Sequence, residues 1–266
     1  KNLLFIELSH KAYIESFSIK GLWGEKDIVW NHINPDVNVL VGINGSGKTT
    51  LLNAMNAYYS QDNKELKKQT GELWGNPVSN CTYPTTYLRS FDTVPVIDKR
   101  KSESPLMQEL NKAVIQNKEG LSFFNYRMKM LDYPEKAEEI QQNIDELFAI
   151  VNELFSDTQK KIDTSKGNNS TLIFHQGNQI IHLEQLSAGE KQLLLILLKM
   201  FLLEKQPAVF FMDEPEISLH IRWQREIINK LRQLNPLCQL IISTHSPSIF
   251  GAGWGDKVIY MEDLMR

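Results

Sequence analysis

The sequence predicts an α/β fold with an N-terminal β-sheet, a parallel sheet that resumes near the C-terminus, and a mainly helical insertion between them. Three observations carry this. The runs "AYIESFSI", "DIVW" and "VNVLVG", separated by Gly, Asn and Pro, fill residues 3–42, and β-branched and aromatic runs broken by turn residues are the grammar of strands. After residue 58 the apolar residues recur at helical spacing instead. Far downstream "AVFFM" and "QLIIS" are uninterrupted apolar runs that each end in polar residues, as buried parallel strands do at their C-terminal edge.

Taken in order, the run Val37 to Val41 enters a glycine-rich loop, and "TLLNAMNAYY" follows as a helix. The insertion holds "SPLMQELNKAVIQNKEG", "FFNYRMKMLDY" and "PEKAEEIQQNIDELFAIVNELF". In the last of these Ile140, Ile144, Leu147, Val151 and Leu154 form one stripe, with Pro134 at its first turn, and such a stripe is more often packed core than a partner surface. "TLIFHQ" and "QIIHL" predict a hairpin around Gly177-Asn178, and "EQLSAGEKQLLLILL" predicts a buried helix. Three parts are expected: residues 1–57 and 171–266 as the two lobes of one head, and 58–170 as the insertion.

Composition narrows the function classes. The 266 residues are 42% hydrophobic and 23% charged, enough for one core plus an insertion. With 29 Lys and Arg against 32 Asp and Glu, no chain-wide attraction for nucleic acid arises, so any such contact must be local. Cys81 and Cys238 lie far apart without metal-ligand spacing, which suggests neither disulfide nor zinc and fits a cytoplasmic location. The apolar runs are too short to span a bilayer, and no membrane contact is expected.

The most specific motif is "VLVGINGSGKTTLL". Gly42, Gly47, Lys48 and Thr49 fill the spacing G-x-x-x-x-G-K-[ST] between a strand and a helix. Glycines let backbone N–H groups curl around phosphate oxygens at a helix N-terminus. Nucleotide contacts are therefore assigned to Gly42, Asn44, Gly45, Ser46, Gly47, Lys48, Thr49 and Thr50, with Lys48 on the β/γ-phosphates and Thr49 on Mg²⁺. In "PAVFFMDEPEISLH" the strand delivers Asp213 and Glu214. Asp213 is expected to hold Mg²⁺, and Glu214 to be the general base that orients the attacking water. His245 in "STHSP" ends a third strand, where an imidazole can contact the γ-phosphate. Ser187, Ala188, Gly189 and Glu190 open the apolar helix as a second anion-binding end. One nucleotide needs one cradle, so this end is expected to cap the nucleotide of a second copy in a head-to-tail homodimer. Taken alone, Ser187 and Glu190 could be a simple capping box.

The order "GINGSGKTT", "LSAGEKQ", "FFMDEPE", "STHSP" resembles the ABC-type P-loop ATPases, within the non-transporter branch that includes SMC, RecF-like and overcoming-lysogenization-defect (OLD) ATPases. The resemblance implies ATP and Mg²⁺ as ligands, ATP hydrolysis with a basal rate that can be low, and the assignment of Lys48 and Thr49 to Walker A, Ser187 to Gly189 to the signature, Asp213 and Glu214 to Walker B, and His245 to the switch histidine. "LSAGEKQ" and "EPEISLH" are closer to the OLD-like form than to a transporter, with His220 in place of the usual Asp and Ile221 where Pro often follows. Gln69 is the candidate Q-loop residue, and Trp23 and Tyr13 are the candidate adenine partners. Small ATPases of this branch, as in Septu, PARIS and retron defence systems, work beside a separate nuclease or toxin, so an effector partner and an anti-phage or DNA-maintenance role are implied. An assembly larger than the dimer stays open. The basic clusters Lys64 to Lys68 and Asp98 to Lys101 could meet a DNA or RNA backbone, although such runs are usually solvated surface. The competing readings are a transporter ATP-binding subunit and a GTPase or kinase; the latter lacks its guanine motif, since "NKEG" at Asn117 to Gly120 ends in Gly.

Overall fold

A computed structural model describes residues 14–22, 26–70, 78–79, 84–91, 103–115, 121–163 and 171–266. Strands β1 (Phe17–Leu22) and β2 (Lys26–Trp30) pair antiparallel, and β4 (Val78–Ser79) adds to the other side of β1. Two of the runs expected in the N-terminal sheet build it, while the third, Val37 to Val41, joins the central parallel sheet instead. The central sheet has the order β11-β3-β10-β9-β5, from β3 (Val37–Val41), β5 (Thr85–Leu88), β9 (Ala208–Asp213), β10 (Cys238–Ser243) and β11 (Val258–Tyr260). Every neighbouring pair in it is parallel. Strands β9 and β10 are buried at every residue, which is why their sequences are continuous apolar runs rather than alternating ones.

Alternate residues of these strands feed two cores. Val37, Val39, Phe210, Met212, Leu240 and Ile242 face one cluster, while Leu40, Val209, Phe211 and Ile241 face the other. The second core also holds Phe17, Ile19 and Leu22 of the N-terminal sheet and Leu51, Leu52 and Met55 of α1 (Lys48–Tyr59). The first is built with α3 (Pro105–Val114), α4 (Phe123–Asp132), α5 (Ala137–Leu154), α6 (Ala188–Phe201) and α7 (Ile221–Leu234). Helix α6 is apolar around its whole circumference, and Leu193 to Leu198 are each 0% exposed, the signature of a helix enclosed on all sides.

The stretch expected as a helical insertion contributes more than helices. After α1 come the short α2 (Asn63–Thr70), β4 in the N-terminal sheet and β5 at the edge of the central sheet. The stripe Ile140, Ile144, Leu147, Val151 and Leu154 is buried in the same core as α6, so α5 packs on the head instead of extending from it as an arm. Pro134 opens a single 3₁₀ turn ahead of α5. The hairpin around Gly177 forms as β7 (Phe174–Gln176) and β8 (Gln179–Ile181), with β6 (Lys160–Ile162) as third strand. Two short helices, α8 (Pro247–Phe250) and α9 (Met261–Leu264), flank β11. Among the described residues, no helix is long and apolar enough to cross a membrane.

Candidate functional site

The C-terminal edges of β3, β9 and β10 lie side by side because the strands are parallel and in register: Leu40 is opposite Ser243, and Ser243 is opposite Asp213. The turns that leave them carry the glycine-rich loop, Asp213-Glu214 and Thr244-His245. A cleft of about 330 Å³ at this edge is lined by Asn44, Gly45, Gly47, Lys48, Thr49, Thr50, Glu214 and His245. Residues 44 to 245 thus meet through sheet topology alone.

Within the loop, Gly45 and Gly47 take φ values of +79° and +99°, left-handed conformations that favour glycine. At Gly42 a Cβ would sit 2.8 Å from Ser46 Oγ and 3.0 Å from Met261 Cβ. The Ser46 hydroxyl is buried without a hydrogen-bond partner among the described residues. Lys48 is 4% exposed, and its ammonium donates to the carbonyls of Gly42 and Ile43 at 3.0 and 3.2 Å. Burial pushes the ammonium below its ordinary pKa, while the nearby Glu214 and Asp213 pull the other way. A cation held at a loop of N–H groups, beside an unpaired hydroxyl, suits a polyphosphate.

Thr49 Oγ1 donates to Asp213 Oδ1 at 3.1 Å, and Ser243 Oγ donates to the same oxygen. Burial raises the Asp213 carboxyl above its usual range, although these two hydrogen bonds oppose the shift. Oxygen donors from a hydroxyl and a carboxylate fit Mg²⁺, which takes few protein ligands and completes its shell with phosphates and water. Glu214 is also raised, by burial first and by the Asp213 charge second. Its backbone is left-handed, φ +49°, an uncommon conformation for a non-glycine residue that clusters at functional sites. His245 Nε2 lies 3.4 Å from Glu214 Oε1. A carboxylate beside an imidazole at a cleft mouth can orient and deprotonate water.

Ser187 to Glu190 do not line this cleft. Ser187 caps α6: its hydroxyl accepts from the Glu190 N–H at 3.2 Å, and the Glu190 carboxylate accepts from the Ser187 N–H at 2.7 Å. Ser187 and Ala188 are exposed, but Glu190 is 1% exposed and paired with Lys160 at 2.7 Å. Burial alone would raise Glu190; the Lys160 ammonium and the Ser187 N–H hold it below its usual range. Its carboxylate is thus committed inside the chain. Gly189 also has an internal reason to be small, because a Cβ there would lie 2.3 Å from the Ser218 carbonyl oxygen.

Sequence reasoning missed Ser243 and Glu216. Glu216 lies two residues beyond Glu214 in "DEPE" and accepts from the Thr244 hydroxyl and the His245 N–H at 2.7 and 2.8 Å. Of the further candidates, Tyr13, Trp23, Cys81 and Asp98 to Lys101 lie outside the described residues, as does the side chain of Gln69. Lys64 to Lys68 fall on α2, where Lys68 pairs with Glu65 at 3.0 Å.

Comparisons with known proteins bear on the family and the fold. The Septu protein PtuA of Bacillus thuringiensis is 20% identical over 297 residues, covering 92% of this chain and 75% of that protein. An Smc head bound to the C-winged helix domain of ScpA superposes with a TM-score of 0.55 at 14% identity, over 93% of this chain and 94% of that one. The Smc head from Pyrococcus furiosus, bound to the C-terminal domain of ScpA, gives 0.52 at 14% identity, over 93% of each chain. The SMC head domain from Thermotoga maritima gives 0.51 at 13%, over 90% of this chain and 92% of that one. The fold is therefore that of an SMC head domain. Residues 78–250, which include the α6 start, Asp213, Glu214 and His245, match the AAA ATPase domain family AAA_15, and this chain belongs to that family.

Proposed function

We propose that the chain binds and hydrolyses ATP with Mg²⁺ as a nucleotide-sandwiched homodimer, and that the closing and opening of this dimer switches a separate effector, a nuclease or toxin, in anti-phage defence or DNA maintenance. The observation that carries the reading is the meeting of Lys48, Thr49, Glu214 and His245 at one cleft, with Asp213 bonded to Thr49. The likeness to a Septu protein favours the defence setting. Smc heads bound to ScpA domains are precedents for this fold engaging a second protein.

The loop N–H groups and Lys48 hold the phosphate chain, and Thr49 and Asp213 hold the metal. Mg²⁺, when bound, neutralises charge on the phosphate oxygens. Glu214, with its proton affinity raised by burial and by Asp213, orients the attacking water and accepts its proton. His245 steadies the carboxylate and the terminal phosphate. The capping box satisfies the Ser187 and Glu190 N–H groups and leaves those of Ala188 and Gly189, which no helix pairs internally. That end, exposed at Ser187 and Ala188 with Gly189 buried behind them, closes over the nucleotide of a second copy.

The test is Glu214→Gln with Mg·ATP. Loss of the base should stop hydrolysis and hold a closed dimer visible by light scattering at micromolar concentration. A variant that binds ATP yet stays monomeric overturns the sandwich. Affinity purification of the same variant from its native cells should retain a soluble nuclease or toxin; recovery of permease subunits instead would make the chain a transporter subunit.

A further inference from the structure

Hydrogen bonds close a ring around the loop that carries His245, and none of the side chains that form it was singled out as a site residue by sequence reading. Glu216 Oε1 accepts from the Thr244 hydroxyl at 2.7 Å and from the His245 N–H at 2.8 Å. Thr244 Oγ1 accepts from the Ser246 N–H at 2.9 Å, and the Ser246 hydroxyl donates to Gln224 Oε1 at 2.6 Å. Gln224 Nε2, on α7, donates to the carbonyls of Leu219 at 2.8 Å and Glu216 at 3.5 Å, which returns the path to the turn after β9. These side chains tie the turn holding Glu214 and the turn holding His245 to each other and to α7, in addition to the backbone bond from the Glu214 N–H to the Ser243 carbonyl at 2.9 Å.

We propose that Glu216 and Gln224 are positioning residues for the hydrolysis proposed above, acting through His245. The physical reason is leverage. His245 is 34% exposed at its side chain and follows the end of a strand, so beyond its contact with Glu214 the position of the ring is set by its backbone. The single backbone donor that could do so is fixed by Glu216. The second carboxylate oxygen, Oε2, is buried with no hydrogen-bond partner among the described residues. A half-satisfied buried carboxylate costs stability, and a sequence keeps such a cost where geometry matters more than stability. Ring members also polarise one another, so the loss of one weakens the rest.

The inference rests on the ATPase reading, and the experiment separates the two. ATP turnover and ATP affinity are measured for Glu216→Gln, Gln224→Leu, His245→Ala and the double variant Gln224→Leu/His245→Ala. Gln224 is only half-buried, so its variant folds even where Glu216→Gln does not. The expected result is a fall in kcat of about tenfold or more, within the range by which a mispositioned acid–base group slows a reaction, with KM changed less than about twofold. In the His245→Ala background the Gln224 change should cost nothing further, because coupled residues are not additive. Unchanged kcat, or a loss that simply multiplies in the double variant, overturns the ring's role. Absence of turnover and of ATP binding in the unaltered chain overturns the ATPase reading instead. The ring itself is then tested by hydrogen exchange at the His245 amide, which Gln224→Leu should accelerate and which, if unmoved, rules the ring out.

Discussion

Asp213 concentrates the conflict between stability and function in one side chain. It is 2% exposed, and burial raises its pKa despite two hydroxyl donors and the nearby Lys48. A carboxyl that is harder to ionise in the folded chain than in the unfolded one removes stability as pH rises through the ordinary carboxylate range to the raised value, and that loss is complete above it. Asp213→Asn keeps an acceptor for Thr49 and Ser243 and carries no charge. Its melting temperature should therefore exceed that of the unaltered chain at pH 7, and the gap should close in acid, where both forms are neutral. Equal melting temperatures at pH 7 would mean the buried charge is compensated in the ligand-free protein. The residue type and the apolar strand before it were legible from "FFMDE"; the cost was not, because it depends on Ser243, thirty positions away, which only the strand register reveals.

Among the elements, α5, α6 and α7 meet at Trp223. Its indole N–H donates to the Leu154 carbonyl at 2.7 Å, a buried bond at the end of α5. Its ring lies 5.9 Å from that of Phe155, and its Cζ3 is 3.4 Å from where a Cβ on Gly189 would stand. The start of α6 is thereby packed against α7, which is pinned to the end of α5, with Arg222 and Lys230 adding pairs to Asp157 and Glu153. Trp223→Phe keeps most of the apolar surface and strands the Leu154 carbonyl. Such a loss costs about 1–3 kcal/mol, measurable as a lower denaturant midpoint with an unchanged slope. A variant of unaltered midpoint would show that water replaces the indole. Sequence reading found the α6 helix and its cap from "LSAGE", yet gave Gly189 a nucleotide-facing reason, while the chain supplies a packing one at the Ser218 carbonyl. It likewise missed β5, four residues whose partner β9 is more than a hundred positions downstream, since "TTYL" alone is too short to mark a strand.

At the scale of the whole molecule, one sheet separates two cores, and alternate residues of β3, β9 and β10 belong to each. Neither core can dissolve while the other keeps its face of the sheet, so the head should unfold in one transition. The glycine-rich loop connects β3, an interior strand of that sheet, to α1 in the second core, which couples occupancy of the cleft to the stability of the whole. A ligand present at a hundredfold excess over its Kd adds about 2.7 kcal/mol, and a chain of this size gains about 2–4 °C in Tm per kcal/mol. Mg·ATP at that excess should raise Tm by about 5–10 °C. Lys48→Ala removes the buried ammonium that grips the Gly42 and Ile43 carbonyls, and should abolish most of the shift at the same ATP concentration. A shift that survives in Lys48→Ala would place the nucleotide elsewhere. Two melting steps, of which only one responds to ATP, would show that α3 to α5 fold apart from the sheet despite sharing its core.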